Sequence, residues 1–298
     1  MSFTYNIFDS QTKIIMILIA DGGSTKADWI AIDKNQNELF RTRTLGLNPA
    51  IVPKEELHSR IIHMFQLINV KEEVEEIHFY GAGCGTPKPI EILKDILASI
   101  FINAKIYISE DMLAAVYAAS KNKPAIVCIL GTGSNSCYYD GKNMEMLTPS
   151  LGYILMDEAS GNYFGKKLII DYYYGKMPTK IAEKFSEEFN LEADYIKKNL
   201  YREANPNMYL ASLAKFMFEF KDKKYIKKMI KKGFQEFFKY KVLPFNKTSD
   251  TPVYFIGSIA HYFRDILEKI AKKNNLVIAD VIQRPIDNLL EYHKDIMK

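Results

Sequence analysis

Three cysteines in 298 residues, Cys84, Cys128 and Cys137, are too few for a disulfide framework. They form neither a C-x-x-C pair nor a His/Cys cluster, so structural zinc is not expected. Two lie in or beside apolar, strand-like runs, where a free thiol acts as a small hydrophobe. A reducing, cytoplasmic setting fits. The five histidines, His58, His63, His78, His261 and His293, fall at no metal-binding spacing, and no G-x-S-x-G or comparable nucleophile motif occurs. The run Ile14 to Ala20 is too short to span a bilayer. It has no basic segment before it and ends at Asp21, so it does not read as a signal peptide. Met16 lies directly before ILIADGGSTK, and residues 1–15 read as an extension of the domain that starts there.

Charge of one sign is also missing. Forty Lys and Arg against 36 Asp and Glu give a formal net charge of +4, with the two signs mixed along the chain. Neither nucleic acid nor a membrane is expected as a partner. The basic stretch Lys221 to Lys232 has Ile226, Met229, Ile230, Phe234, Phe237 and Phe238 at helical spacing. It reads as an amphipathic helix with a solvated basic face.

What is present is a repeated α/β pattern. Ile15–Ala20, Ala27–Ile32 and Glu38–Thr44 read as strands, with a glycine turn after the first and the hairpin residues 33–37 after the second. A helix over Lys54–Ile68 follows, with Leu57, Ile61, Met64, Phe65 and Ile68 on one face. Then come strand Glu76–Tyr80, helix Pro89–Phe101, strand Lys105–Ser109 and a helix over Met112–Ser120. The pattern restarts with strand Ala125–Leu130, a glycine turn, strand Ser136–Tyr139, the turn Asp140-Gly141 and strand Asn143–Thr148. A long helical region spans residues 161–240. Strand Pro252–Ile256, helix Ile259–Lys272, strand Asn275–Ala279 and a helix from Pro285 close the chain. Two related halves, 16–120 and 121–298, leave a cleft between them, which is a favoured place for ligands.

The two glycine turns carry the chemistry. Asp21-Gly22-Gly23-Ser24-Thr25-Lys26 joins two strands rather than a strand and a helix, so it is neither a Walker loop nor a dinucleotide fingerprint. A tight hairpin with two glycines can still aim N–H groups at phosphate oxygens. Ser24 and Thr25 add hydroxyls, Lys26 adds charge, and Asp21 can hold Mg²⁺ directly or through water. Gly131-Thr132-Gly133-Ser134-Asn135 repeats the arrangement in the second half. Facing each other, the hairpins would clamp a polyphosphate from both sides.

The segments ADGGSTKADW, GLNP, SEDMLAA, LGTGSNS, LGYILMDEASG and FIGSIA, in this order, resemble the superfamily of actin, the heat-shock chaperone ATPases and the sugar kinases. Within it the chain looks like the N-acetylglucosamine kinases, which are grouped with the benzoyl-CoA-reductase-activating ATPases. The resemblance implies a duplicated actin-like, ribonuclease H-like ATPase fold with two domains. It also implies a helical insertion in the second domain and a last helix returning to the first. Gly22, Gly23, Ser24, Thr25 and Lys26 match the first phosphate loop, and Gly131, Thr132, Gly133 and Ser134 the second. Gly257, Ser258 and Ala260 match the adenosine-side motif. Asp111 matches the base that takes the proton of the attacking sugar hydroxyl, while Asn48, Gly83 and Asp157 match sugar-binding positions.

The implied reaction is ATP and Mg²⁺-dependent phosphorylation of an amino sugar, N-acetylglucosamine to its 6-phosphate, by a cytoplasmic enzyme that could form a homodimer. Glucosamine and N-acetylmuramic acid remain alternatives. The family commonly has DEGSG where this chain has Asp157-Glu158-Ala159-Ser160-Gly161, and a GWG where it has Leu151-Gly152-Tyr153. The single tryptophan is Trp29 instead. The bland reading makes Glu110-Asp111 a helix cap, Asn48 a turn residue and Gly257 a strand-to-helix turn. The competing functions are an activating ATPase with a cysteine-held iron–sulfur cluster, and a non-catalytic sensor on the same fold.

Overall fold

In a computed structural model, residues 15–247 and 250–298 are described. Residues 1–14 of the expected extension lie outside them. The first half runs β1 (Met16–Gly22), β2 (Lys26–Asp33), β3 (Glu38–Leu45), α1 (Lys54–Ile62), α2 (Phe65–Ile68) and β4 (Val74–Gly81). It continues through α3 (Pro87–Ile100), β5 (Lys105–Glu110) and α4 (Asp111–Ser120). The second half opens with β6 (Ala125–Leu130), β7 (Ser134–Tyr139) and β8 (Met144–Glu145). The helical region follows as α5 (Gly161–Tyr173), α6 (Thr179–Glu188), α7 (Ala193–Tyr201), α8 (Pro206–Leu213), α9 (Phe216–Glu219) and α10 (Lys224–Phe237). A π turn, Phe238–Val242, ends it. Then come β9 (Val253–Ile256), α11 (Ser258–Tyr262), α12 (Arg264–Lys273), β10 (Ile278–Ile282) and α13 (Ile286–Ile296).

The strand orders are β3-β2-β1-β4-β5 and β10-β9-β6-β7-β8. In each sheet the first three strands of the half pair antiparallel, and the last two pair parallel to the first and to each other. The second half is therefore a second copy of the first topology. Apolar runs explain the centre of each sheet: β1 and β6 are buried on both faces, while β3, at an edge, alternates exposed with half-buried residues and buries only Thr44.

Each sheet has its own core, and α4 joins them. Ala114 packs with Ile17, Ile19, Ile30 and Leu289 of α13 against the first sheet. Met112, Ala115, Val116 and Ala119 pack with Val127, Cys137 and Ile256 against the second. Small alanines let α4 approach both sheets closely. This places its first residue, Asp111, at the joint. Helix α13 leaves the second sheet and lies on the first, fixed there by the ion pair Arg41–Asp287.

Several expected elements come out differently. The helix over Lys54–Ile68 breaks at Met64, which is extended (φ −90°, ψ 94°) so that its sulfur meets Thr42 Oγ1 at 3.2 Å. Phe65 is thereby turned outward, 74% exposed, instead of joining the core. The helix over Ile259–Lys272 is divided at Phe263, whose ring is buried beside Phe218. Asn275 takes a left-handed turn (φ 55°), which delays the last strand to Ile278. The third strand of the second half is only two residues long, Met144 and Glu145, rather than extending to Thr148. Among the described residues, no helix is long and apolar enough to cross a membrane.

Candidate active site

In the first sheet β1, β4 and β5 run parallel and end together, with Gly22 beside Gly81 and Gly81 beside Glu110. The carboxyl edge of such strands is where ligands bind in open α/β sheets. The first hairpin stands on this edge. Gly23 N–H donates to the Lys26 carbonyl at 2.8 Å and closes the turn. A Cβ on Gly46 would collide with the Ser24 carbonyl, so the end of β3 passes directly under the turn. Asn48 braces it from the side: its Nδ2 donates to Ser24 Oγ at 2.9 Å, and its Oδ1 accepts from Ala50 N–H at 3.0 Å. Gly83 (φ 80°) lies against that same Oδ1, where any side chain would clash. Asn48 and Gly83 thus form one wall with Ser24. The Asn48 amide keeps one N–H and one lone pair uncommitted.

The second hairpin is held from its own side. Gly161 N–H donates to the Gly131 carbonyl at 2.8 Å, and Asn162 N–H to the Thr132 carbonyl at 3.0 Å. Two expected site residues turn inward to the scaffold. Ser134 N–H donates to Asp157 Oδ1 (3.1 Å) and its hydroxyl to the Glu158 carbonyl (2.7 Å). The other oxygen of Asp157 accepts from Asn162 Nδ2 at 3.3 Å. Its left-handed backbone (φ 70°) presses the carboxyl against Gly133, where a Cβ would stand 2.9 Å from Oδ2. Both residues thus brace the second hairpin from the segment that leads into α5.

The hairpins meet rather than standing apart: Thr25 Oγ1 and Thr132 Oγ1 are 2.7 Å from one another. Among the described residues, the N–H groups of Ser24, Thr25, Thr132 and Gly133 have no acceptor. Four donors around one hydroxyl contact make a cradle for an anion with several oxygens. The open space next to Gly131, where a Cβ would touch nothing within 4 Å, adjoins it.

Carboxyls line the same floor. Asp21 sits one residue before the first hairpin, across from Asp28 of β2. Asp28 itself is paired with Arg43 at 2.6 Å and Lys26 at 3.5 Å, whereas neither Asp21 nor Asp111 has a cation within ion-pair distance among the described residues. Both are half-buried by exposure but set deep, so the surrounding protein governs their protonation. Desolvation, then the charges of Asp111 and Asp28, push the Asp21 carboxyl up to about 7 against the pull of Lys26. Desolvation and the charge of Glu110 push Asp111 up to about 6, opposed by the Met112 N–H and its own at the start of α4. Glu110, at the N-cap of α4, makes no side-chain cap hydrogen bond.

Uncompensated carboxyls beside free N–H donors fit a divalent cation that brings its own anionic ligand. Mg²⁺ takes one or two carboxylates and leaves its other positions to water and phosphate. Asp21 fits that role. Among the described residues there is no cluster of three or more His, Cys, Asp or Glu side chains, so an all-protein cage is not the design.

The adenosine-side motif divides. Gly257 (φ 117°) ends β9, and a Cβ there would strike the Leu130 carbonyl just before the second hairpin. Ser258 opens α11, and Ala260 is fully buried in the second core. The cysteines are buried and free. Burial, Asp111 and Glu110 push the Cys84 thiol up to about 12, and Cys128 and Cys137 lie inside the second sheet. None is exposed for a cluster shared between two subunits, so the iron–sulfur reading has no ligands.

Sequence reasoning missed the supports. Gly46 and Asn162 gave no local sign of holding the hairpins. Arg284, whose charge bears on Lys26, follows a strand that ends in the other half of the chain.

No family model matches the chain, and no curated protein matches it. Solved structures do. A crystal structure from Porphyromonas gingivalis, provisionally named an N-acetylglucosamine kinase, is 35% identical, with 94% of this chain and 99% of that one covered and a TM-score of 0.86. The chain belongs to the N-acetylglucosamine kinase family. A second structure with the same provisional name, from Chromobacterium violaceum, is 15% identical over 94% of this chain and 99% of that one, with a TM-score of 0.73. A ROK-family glucokinase from Streptomyces griseus, solved with glucose and AMPPNP, is 13% identical over 94% and 98%, with a TM-score of 0.56. These two share the fold, which is the duplicated actin-like ATPase fold of the sugar kinases.

Proposed function

We propose that the chain transfers the γ-phosphoryl group of ATP to the 6-hydroxyl of N-acetylglucosamine, releasing ADP. The observation that carries this reading is the placement of Asp111. It is a carboxyl raised to about 6, set at the joint of the two sheets beside hairpins whose four N–H groups await an acceptor. At neutral pH such a group is mostly ionised and still basic enough to accept a hydroxyl proton. Asp111 takes the proton of the attacking hydroxyl as the new O–P bond forms, and the bond from the γ-phosphorus to ADP breaks. Ser24, Thr25, Thr132 and Gly133 orient the phosphates through their N–H groups, with Gly22, Gly23 and Lys26 on one side and Gly131 on the other. Asp21 would hold Mg²⁺, which when bound offsets the charge of the phosphate oxygens.

Gly257 and Ser258 form the nucleoside side, and Asn48 and Gly83 the sugar side. We take residues 16–120 and 121–298 as two lobes that close to exclude water, which competes with the sugar for the phosphoryl group. Three buried free thiols favour a cytoplasmic reaction.

The test is ADP release with Mg-ATP across N-acetylglucosamine, glucosamine, N-acetylmuramic acid and a no-sugar control. Turnover that depends on N-acetylglucosamine supports the reading. Equal hydrolysis without sugar, or turnover with none of them, overturns it.

A further inference from the structure

Lys241 is a buried cation that the proposed reaction does not use. It lies in the π turn at the end of α10 and is 6% exposed. Its carbonyl accepts from Ser136 Oγ of β7 at 2.6 Å, which ties the turn to the second sheet. Its Nζ points the other way. It donates to Thr148 Oγ1 at 3.0 Å and lies 4.0 Å from Met156 Sδ. Among the described residues no carboxylate comes within ion-pair distance of it. A buried ammonium whose hydrogen-bond partners among the described residues are one hydroxyl and one thioether is costly, so its position calls for an explanation.

Thr148 and Met156 are the two ends of one excursion of the chain. Inside it, the backbone hydrogen bond from Met156 N–H to the Gly152 carbonyl is the one present among the described residues. Leu151, Ile154 and Leu155 are 54%, 71% and 71% exposed, so the excursion has no core of its own. The residue directly after it is Asp157, which holds Ser134 N–H and Asn162 Nδ2 and presses on Gly133. The Lys241 charge also favours the ionised form of Asp157, against the burial that raises it.

We propose that Lys241 is a positioning residue: one ammonium straps both ends of the 148–156 excursion and thereby fixes Asp157 and the second hairpin. The consequence for catalysis rests on the reading of that hairpin as a phosphate loop. The strap itself does not.

Lys241→Met, which keeps length and apolar bulk but removes the donor, tests both parts. In limited proteolysis with chymotrypsin, cleavage at Leu151, Tyr153 and Leu155 should rise about tenfold over the parent while the melting temperature of the whole chain stays within a few degrees. In kinase assays KM for ATP should rise about tenfold with kcat changed much less. Lys241→Arg, which keeps a cationic donor, should recover most of both. Thr148→Val removes the acceptor alone and should reproduce the proteolysis in part, which decides the question if Lys241→Met does not fold. Unchanged cleavage in Lys241→Met or Thr148→Val overturns the strap. Faster cleavage with an unchanged KM for ATP overturns its link to the hairpin. If the parent transfers no phosphoryl group, the proposed function fails, and the cleavage result still decides the strap.

Discussion

The two glycine hairpins are copies in topology and opposites in support. The first rests on its own half: the backbone at Gly46 fills the space beneath Ser24, and Arg60 reaches the Gly46 carbonyl from α1. The second is held from beyond its sheet, by the backbone N–H groups of Gly161 and Asn162 at the start of α5 and by the Asp157 carboxyl before it. The first also carries its own charges, Asp21 and Lys26, while the nearest cation acting on the second hairpin's brace is Lys241. Each hairpin thus combines backbone contact with one side-chain brace, Asn48 for the first and Asp157 for the second. What differs is where the support comes from: the first hairpin rests on β3 and α1 of its own half, and the second on the segment that leads into the helical insertion.

The strongest break of this comparison is at its shared centre. Asp111→Asn should lower kcat by about 10³-fold, since neither hairpin can replace a base. Binding of a non-hydrolysable ATP analogue, measured by calorimetry, should stay within about twofold of the parent. Full turnover would remove Asp111 from the reaction.

Next comes a pair of glycines. Gly46→Ala places a Cβ against the Ser24 carbonyl and should cost about 2–3 kcal/mol in urea unfolding. Gly131→Ala meets open space and should change stability by less than about 0.5 kcal/mol. It should still weaken nucleotide binding about tenfold, because the new methyl occupies room meant for the ligand. Equal stability losses would erase the distinction between a fixed and an open hairpin.

The carboxyl floor predicts opposite pH trends for activity and stability. Asp111 must be ionised to accept a proton, so kcat/KM for the sugar should fall as pH drops through about 6. Asp21 and Asp111 have folded values near 7 and 6, above the ordinary 3.8. Between roughly pH 4 and 7 the folded chain therefore binds more protons than the unfolded one, and stability without ligand should decline as pH rises. Thermal melts across that range, without ligand, check the sign. A rise would mean that other groups dominate.

The smallest effect concerns the contact between the hairpins. A double-mutant cycle of Thr25→Val and Thr132→Val should give a coupling of about 1 kcal/mol in unfolding. A value near zero would make the hydroxyl contact incidental.

Much of the site was legible before the fold. A glycine turn between two apolar runs is a local event, so both hairpins stand where the residues put them, and β6 begins and ends at the expected residues. Asp111 at the start of a helix after a strand was legible for the same reason. What the motifs did not convey is the set of protein partners of Ser134, Asp157 and Ala260. Orientation depends on partners far away in sequence, such as Glu158 for Ser134 and the whole second core for Ala260. The break at Met64 has a similar cause, because helical periodicity does not register that Thr42 of the neighbouring strand attracts its sulfur.

By itself the sequence determined the repeated strand–turn–strand units, the α/β order and the polar residues available for phosphate and proton chemistry. These follow from steric limits on a few consecutive residues and from the spacing of apolar side chains. Only the tertiary structure decided that the two hairpins touch through Thr25 and Thr132, and that Asp157 and Lys241 serve as supports. It also decided that Asp21 and Asp111 share one poorly solvated floor. Hydrogen-bond partners, burial and charge depend on which distant segments arrive at the same place, and no local pattern records that.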